Sequence, residues 1–214
     1  MTEQTLPLVQ TLPVGSTFYR CYRCQLSATQ YTQGTLQQPA WRFTPFPDQQ
    51  GQTVQGLYMS DSAMGAISET LFRKNIAAAL LLNEVEQRHI CQLNNQRPLN
   101  IALLTTAFLE ERLGYNPIAS NDYPRCNDIA RLLYHLKKPK LDGIAFASYQ
   151  SGGHNKNVVV FSLRTAPDDF VIVPHSAEAV LSQRYIADFL LAAQASQRLL
   201  SDALIKQCQS LSLV

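Results

Sequence analysis

Residues 142–161 read DGIAFASYQSGGHNKNVVVF, and this stretch decides the fold. Ile144, Phe146 and Ser148 alternate with small residues, which is typical of a strand with one packed face. The two adjacent glycines indicate a turn, and the apolar run over residues 158–161 predicts a buried strand. The stretch therefore predicts two sheet strands, with a polar side chain at the end of the first.

The segments before this stretch mix helices and strands. Asn121 or Asp122 is expected to cap a helix with Pro124 in its first turn. The apolar side chains of that helix recur at helical spacing over Ile129, Leu132, Leu133 and Leu136. Residues 99–104 predict a buried strand, and residues 108–113 predict a helix that Gly114 ends.

The first third of the chain predicts strands over residues 17–22 and 56–60. Ser60 or Asp61 is expected to cap the helix that follows, which could extend to residue 82. Residues 25–55 are rich in Gln and broken by prolines, so they predict mostly loop. Such a loop could be a functional lid or a solvated insertion.

Strands and helices do not alternate regularly, so we expect an α+β fold: a mixed β-sheet core with flanking helices. Residues 1–14 predict a loose N-terminal lead-in, and residues 15–175 the main domain, with a further strand near residues 169–174. Residues 176–214 predict a helical C-terminal extension that packs on the domain.

Composition excludes several classes of protein. Of 214 residues, 46% are hydrophobic and 16% charged, too apolar a mixture for a mainly disordered chain. The formal net charge of +2 argues against direct nucleic-acid binding as the main activity. The longest apolar run, residues 76–82, is too short to cross a bilayer, and residues 2–10 lack a signal-peptide pattern. The five cysteines form no compact framework, so we expect free thiols in the cytoplasm.

Three polar side chains stand in apolar or sheet-like surroundings. Arg42 lies between two aromatic residues, where its guanidinium could bind a planar anion or simply stack on a ring. Glu69 could stabilise developing positive charge or accept a proton, or merely favour its helix N-terminus. Ser148 could be a nucleophile, a phosphate ligand or a local backbone cap.

Other patterns are weaker. Cys21 and Cys24 have the spacing of half a zinc site, but no second pair exists. His89 and His135 fall in segments with a helical pattern, and no two histidines have ligand spacing. We therefore expect no metal site.

The ordered segments together resemble the RES-domain family, named for an arginine, a glutamate and a serine. The matching pieces, between about residues 15 and 165, are Phe18-Tyr19-Arg20, Trp41-Arg42-Phe43, Gly56-Leu57-Tyr58-Met59-Ser60, Ala66 with Glu69, Tyr123-Pro124, Asp142 to Ser148 and Asn157 to Phe161. The family arginine usually follows two glycines, whereas Arg42 follows Pro39-Ala40-Trp41.

The resemblance implies a fold similar to that of ADP-ribosyltransferases and a bacterial toxin of a toxin–antitoxin pair. Such proteins consume NAD as a substrate, by hydrolysis or phosphorolysis of the nicotinamide–ribose bond, and need no further cofactor. By position, Glu69, Arg42 and Ser148 would be catalytic. Arg20 and Arg42 would bind the phosphates, Tyr58 would pack on nicotinamide or ribose, and Ser148 would complete the NAD pocket.

Two other functions stay open at this point. The chain could transfer ADP-ribose to a protein target, or it could be a catalytically silent nucleotide-binding or partner-binding module. The apolar residues of segment 176–214 could complete the domain, form a homodimer face or contact an antitoxin protein.

Overall fold

The structure is a computed structural model that describes residues 6–23, 25–36, 41–71, 88–147, 155–173 and 179–180. Within these ranges the strands are β1 (Leu8–Leu12), β2 (Thr17–Arg23), β3 (Phe46–Pro47), β4 (Thr53–Val54), β5 (Gly56–Ser60), β6 (Arg88–Asn95), β7 (Leu99–Leu104), β8 (Gly143–Ala147), β9 (Lys156–Phe161), β10 (Phe170–Ile172) and β11 (Ala179–Val180). The helices are α1 (Ala63–Leu71), α2 (Thr106–Leu113) and α3 (Tyr123–Tyr134), with a 3₁₀ turn at Pro167–Asp169.

One large sheet organises the described residues, with strand order β1-β7-β8-β9-β5-β2-β6-β10 and with β11 also paired to β6. Strands β7 and β8 run parallel, and the other registered pairs in these ranges are antiparallel. A small hairpin of β3 and β4 lies outside this sheet. The expected α+β class with a mixed sheet is therefore confirmed.

Apolar side chains cover both faces of the sheet. Successive residues of β9 point to opposite faces, so Val159 and Phe161 join one core and Val158 and Val160 the other. Helices α2 and α3 and the β3–β4 hairpin contribute to the first core. Burial on both faces explains why the central strand reads as an uninterrupted apolar run.

Strands β2 and β5 are joined at a single registered pair, Tyr19 with Ser60. Beyond that pair β2 stays in register with β6 over all seven of its residues, while β5 stays in register with β9. The sheet therefore opens between β2 and β5, and side chains from both strands border the gap.

The expectation of a loose lead-in over residues 1–14 is wrong for β1. This strand pairs with β7 at the sheet edge, although most of its side chains face solvent and Leu8 is 70% exposed. Val9 and Leu12 are only partly buried, one against each core, so the strand has no regular alternation of buried side chains that would reveal it in the sequence.

Strand β6 was also missed, and the assignment of His89 to a helical segment is wrong. Ile90 and Cys91 are both buried, so the strict alternation that marks a half-buried strand is absent.

The predicted C-terminal helix is wrong at Ala179–Val180, which pair with Ile90 and His89. Otherwise the 176–214 segment lies outside the described residues. Within the described part of the chain, no helix has both the length and the apolar character that crossing a membrane requires.

Candidate active site

A cleft of about 420 Å³ opens where β2 and β5 separate. Its charged lining side chains are Arg20, Arg23, Arg88 and Glu69. Its aromatic lining side chains are Tyr22, Tyr31, Trp41, Tyr58 and Phe146. Among the described residues, three cations against one acid, together with the flat rings, suit an anionic ligand that carries ring systems.

Helix α1 places Glu69 at the wall of this cleft. The helix is capped by Ser62, whose hydroxyl accepts the Gly65 N–H at 2.9 Å and donates to Asn155. The expected cap, Ser60 or Asp61, is thus wrong, because the Ser60 hydroxyl donates to the Lys156 carbonyl. A Cβ at Gly65 would lie 2.1 Å from Ser60 Oγ, so glycine lets the helix approach the sheet. Glu69 lies one turn further along the same helix face.

Arg42 lies behind Glu69. Its side chain is 2% exposed, and its Nη1 lies 3.7 Å from Glu69 Oε2. The guanidinium carbon lies 5.8 Å from the centre of the Tyr123 ring and 5.6 Å from that of Phe146. Arg42 is not among the described residues that line the cleft. This geometry orients the Glu69 carboxylate.

Two asparagines at the start of α3 hold the Arg42 segment. Asn121 Oδ1 accepts from Arg42 Nη2 at 3.2 Å, and Asn121 has a φ of 56°, a left-handed conformation that few side chains tolerate. Asn127 Nδ2 donates to the Arg42 carbonyl at 3.0 Å. Of the two predicted caps, Asp122 is the one that caps the helix. The side chain of Asn121 is therefore available to bind Arg42.

Arg20 presents a positive charge to the cleft without an acidic partner. It is 6% exposed and donates to the carbonyls of Ala28 and Gln30, and among the described residues no carboxylate lies within ion-pair distance. Burial lowers the pKa of the Arg20 guanidinium to about 10, so it stays cationic at neutral pH. A buried cation whose described partners are two carbonyl groups and the Tyr22 ring, with no carboxylate among them, favours an anionic ligand.

Tyr58 is fixed by the loop that carries Arg42. Its hydroxyl accepts the Phe43 N–H at 2.9 Å and lies 3.2 Å from Thr44 Oγ1. Its ring lies 5.6 Å from the Trp41 ring, tilted by 30°. These contacts leave a rigid aromatic surface in the cleft.

The structure thus brings Arg20, Tyr58 and Glu69 to one cleft and places Arg42 directly behind it. Ser148 lies outside the described residues. The sequence analysis missed Arg23 because a charge just beyond a predicted strand normally faces solvent, and missed Arg88 because the strand that carries it was not predicted.

The RES domain family model matches residues 17–182, well over half of the chain. The chain belongs to the RES domain family. The matched span includes Arg20, Arg42, Tyr58 and Glu69, so the described lining of the cleft lies within the RES domain. Comparison with curated proteins found none that matches the chain. The predicted likeness of the RES fold to ADP-ribosyltransferases stays a prediction.

The cysteines of the RES domain predict a chemical test. Burial raises the pKa of Cys21 to about 12 and that of Cys91 to about 11, so at pH 8 only about one thiol in a thousand or fewer is ionised. We expect neither to react with iodoacetamide in the native protein at pH 8, and both to react in denaturant. Peptide mass spectrometry measures labelling in both states, and rapid labelling of Cys21 in the native protein would contradict this burial.

Among the described residues no group of His, Cys, Asp and Glu side chains is arranged to hold a metal ion.

Proposed function

We propose that this RES-domain chain is an NAD-degrading enzyme that cleaves the nicotinamide–ribose bond. The observation that carries the proposal is the Arg42–Glu69 pair at the wall of a cationic, aromatic-lined cleft. A carboxylate held by an arginine, in a cleft whose other described charges are cationic, suits a reaction in which positive charge develops next to a pyrophosphate.

The cleft offers complementary contacts for a dinucleotide. Arg20, with Arg23 and Arg88 in the same lining, would bind the pyrophosphate. The rings of Tyr58 and Trp41 would pack against the nicotinamide or its ribose. These contacts would hold the anomeric carbon next to Glu69 and so supply the orientation that the reaction needs.

Glu69 would stabilise the transition state. When the bond between the anomeric carbon and the pyridine nitrogen breaks, the electron pair leaves with neutral nicotinamide and the ribose becomes an oxocarbenium ion. A preorganised carboxylate next to the ribose stabilises this transition state more than it stabilises bound NAD, and so lowers the barrier. Water or phosphate then attacks the anomeric carbon and loses a proton, which gives ADP-ribose or its phosphate ester. No general acid is needed, because nicotinamide leaves as a neutral molecule.

The biological role we propose is that of a toxin of a bacterial toxin–antitoxin pair. Loss of NAD would be harmful to the cell that makes the enzyme, so an antitoxin protein that covers the cleft would be its natural regulator. The proposed compartment is the cytoplasm, where NAD is abundant and the buried thiols of Cys21, Cys91 and Cys126 stay reduced.

An NAD-consumption assay tests this function. We expect the purified chain to release nicotinamide, and mass spectrometry to find ADP-ribose in phosphate-free buffer and its phosphate ester where phosphate is the acceptor. A parallel reaction with cell lysate would show labelled ADP-ribose on a protein if the chain is instead a transferase. NAD that binds but stays intact at high enzyme concentration would contradict the proposal and favour a binding module.

A further inference from the structure

Asn157, at the start of β9, is an unpaired polar residue buried within the cleft lining. It is 3% exposed, and neither Oδ1 nor Nδ2 has a hydrogen-bond partner. Burial of an unpaired amide is costly, so buried amides are almost always hydrogen-bonded. An exception inside a ligand-sized cleft points to a partner supplied by the ligand.

The neighbours of Asn157 leave its carboxamide unpaired. In the sheet it is registered with Ser60 of β5 on one side and with Phe146 of β8 on the other. The hydroxyl of Ser60 donates its one proton to the Lys156 carbonyl and so cannot donate to Asn157 Oδ1, and neither amide atom of Asn157 reaches a partner. Phe146 offers only a ring, and that ring also contacts the guanidinium of Arg42. Asn157 therefore lies at the same end of the cleft as the Arg42–Glu69 pair.

We propose that Asn157 recognises the carboxamide of the nicotinamide ring through two hydrogen bonds. Nδ2–H would donate to the ligand carbonyl, and Oδ1 would accept from the ligand amide N–H. The inference rests on the proposed function, because that function places the nicotinamide beside Glu69.

The chemistry of the site favours this group over other parts of the dinucleotide. On one edge a primary amide presents one N–H donor beside its carbonyl acceptor in a single plane, and that edge pairs with the same edge of a second amide. The aromatic surfaces of Phe146 and Tyr58 beside Asn157 suit an amide conjugated to a flat ring better than a puckered sugar. The adenine of an extended dinucleotide would lie away from the reacting ribose and hence away from this end.

The test compares two substrates in the wild type and in Asn157→Leu. The substrates are NAD and its 3-acetylpyridine analogue, in which a methyl ketone replaces the amide and removes the donor. The measured quantity is the ratio of kcat/KM for the two, since the intrinsic reactivity of each substrate cancels between variants. We expect the preference for NAD to fall about tenfold in Asn157→Leu.

The melting temperature separates a ligand role from a structural one. Without ligand, we expect Asn157→Leu to melt at the same temperature as wild type or higher, because it removes an unsatisfied buried amide. Asn95→Leu is the matched control: Asn95 is buried, donates to the Pro13 and Arg97 carbonyls, and lies outside the cleft lining. That control should melt lower and keep the wild-type preference.

An unchanged preference in Asn157→Leu, or an equal loss of activity with both substrates, would overturn the inference. If no variant turns over NAD, calorimetric affinities for the same two dinucleotides replace kcat/KM and give the same comparison. The experiment therefore distinguishes a chain that does not cleave NAD from one in which Asn157 does not bind the nicotinamide carboxamide.

Discussion

Glu69→Gln should reduce NAD consumption by about 10²–10³-fold, the usual loss when one preorganised charge-stabilising group is removed. The substitution keeps the shape of the side chain and leaves an amide oxygen that Arg42 can still contact. The expected change is in kcat, because the carboxylate acts on charge that appears only in the transition state. Nicotinamide release under saturating NAD measures it.

Glu110→Gln is the matched control for this prediction. It makes the same chemical change on the exposed face of α2, outside the cleft lining, and should leave kcat unchanged. Both variants should first show the melting behaviour of a folded protein. If Glu69→Gln retained wild-type kcat while folded, the role proposed for this carboxylate would be wrong.

Arg42→Lys should lower kcat by about 10²-fold while KM for NAD stays nearly constant. A lysine ammonium cannot span Glu69 and Asn121 as the guanidinium fork does, so the carboxylate loses its fixed orientation. The split between kcat and KM is the decisive readout. Initial rates over a range of NAD concentrations give both constants.

Arg20→Met should show the opposite pattern, because Arg20 lines the cleft and faces the proposed pyrophosphate. For Arg20→Met we therefore expect KM for NAD to rise.

Arg164→Lys is the matched control for Arg42→Lys, because Arg164 also stacks on a ring: it lies 4.5 Å from the centre of the Tyr134 ring and outside the cleft lining. It should cost about 1–2 kcal/mol of stability and leave both kinetic constants unchanged. A rise in KM for Arg42→Lys would instead favour direct phosphate binding by Arg42.

The sequence predicted those strands whose buried faces show in the side-chain pattern. Strands β2, β5, β7, β8 and β9 all carry apolar residues in alternation or in unbroken runs. It missed β1, which pairs at an exposed edge, and β6, where the adjacent buried residues Ile90 and Cys91 break the alternation. Tertiary pairing, rather than local preference, decides both.

The site was predicted in part for a related reason. Arg20, Tyr58 and Glu69 belong to recognisable segments, and the structure brings them to one cleft. Asn121 was expected only as a helix cap, because a sequence does not show that its φ is positive and its side chain is turned to Arg42. Asn157 carried no role in the sequence analysis, since the absence of hydrogen-bond partners is visible only in three dimensions.

The parallel pairing of β7 and β8 has a consequence for how the protein is made. Parallel strands require a crossover, and here it is residues 105–142, which carry Asn121 and Asn127. A ribosome therefore synthesises Arg42 and Glu69 well before Asn121 and Asn127, the two residues that position Arg42. A nascent chain, or one cut short by a premature stop codon before Asn121, holds Glu69 without the asparagines that position Arg42 and lacks strands β8 to β11. Completion of the last third of the protein is thus the step that assembles the cleft.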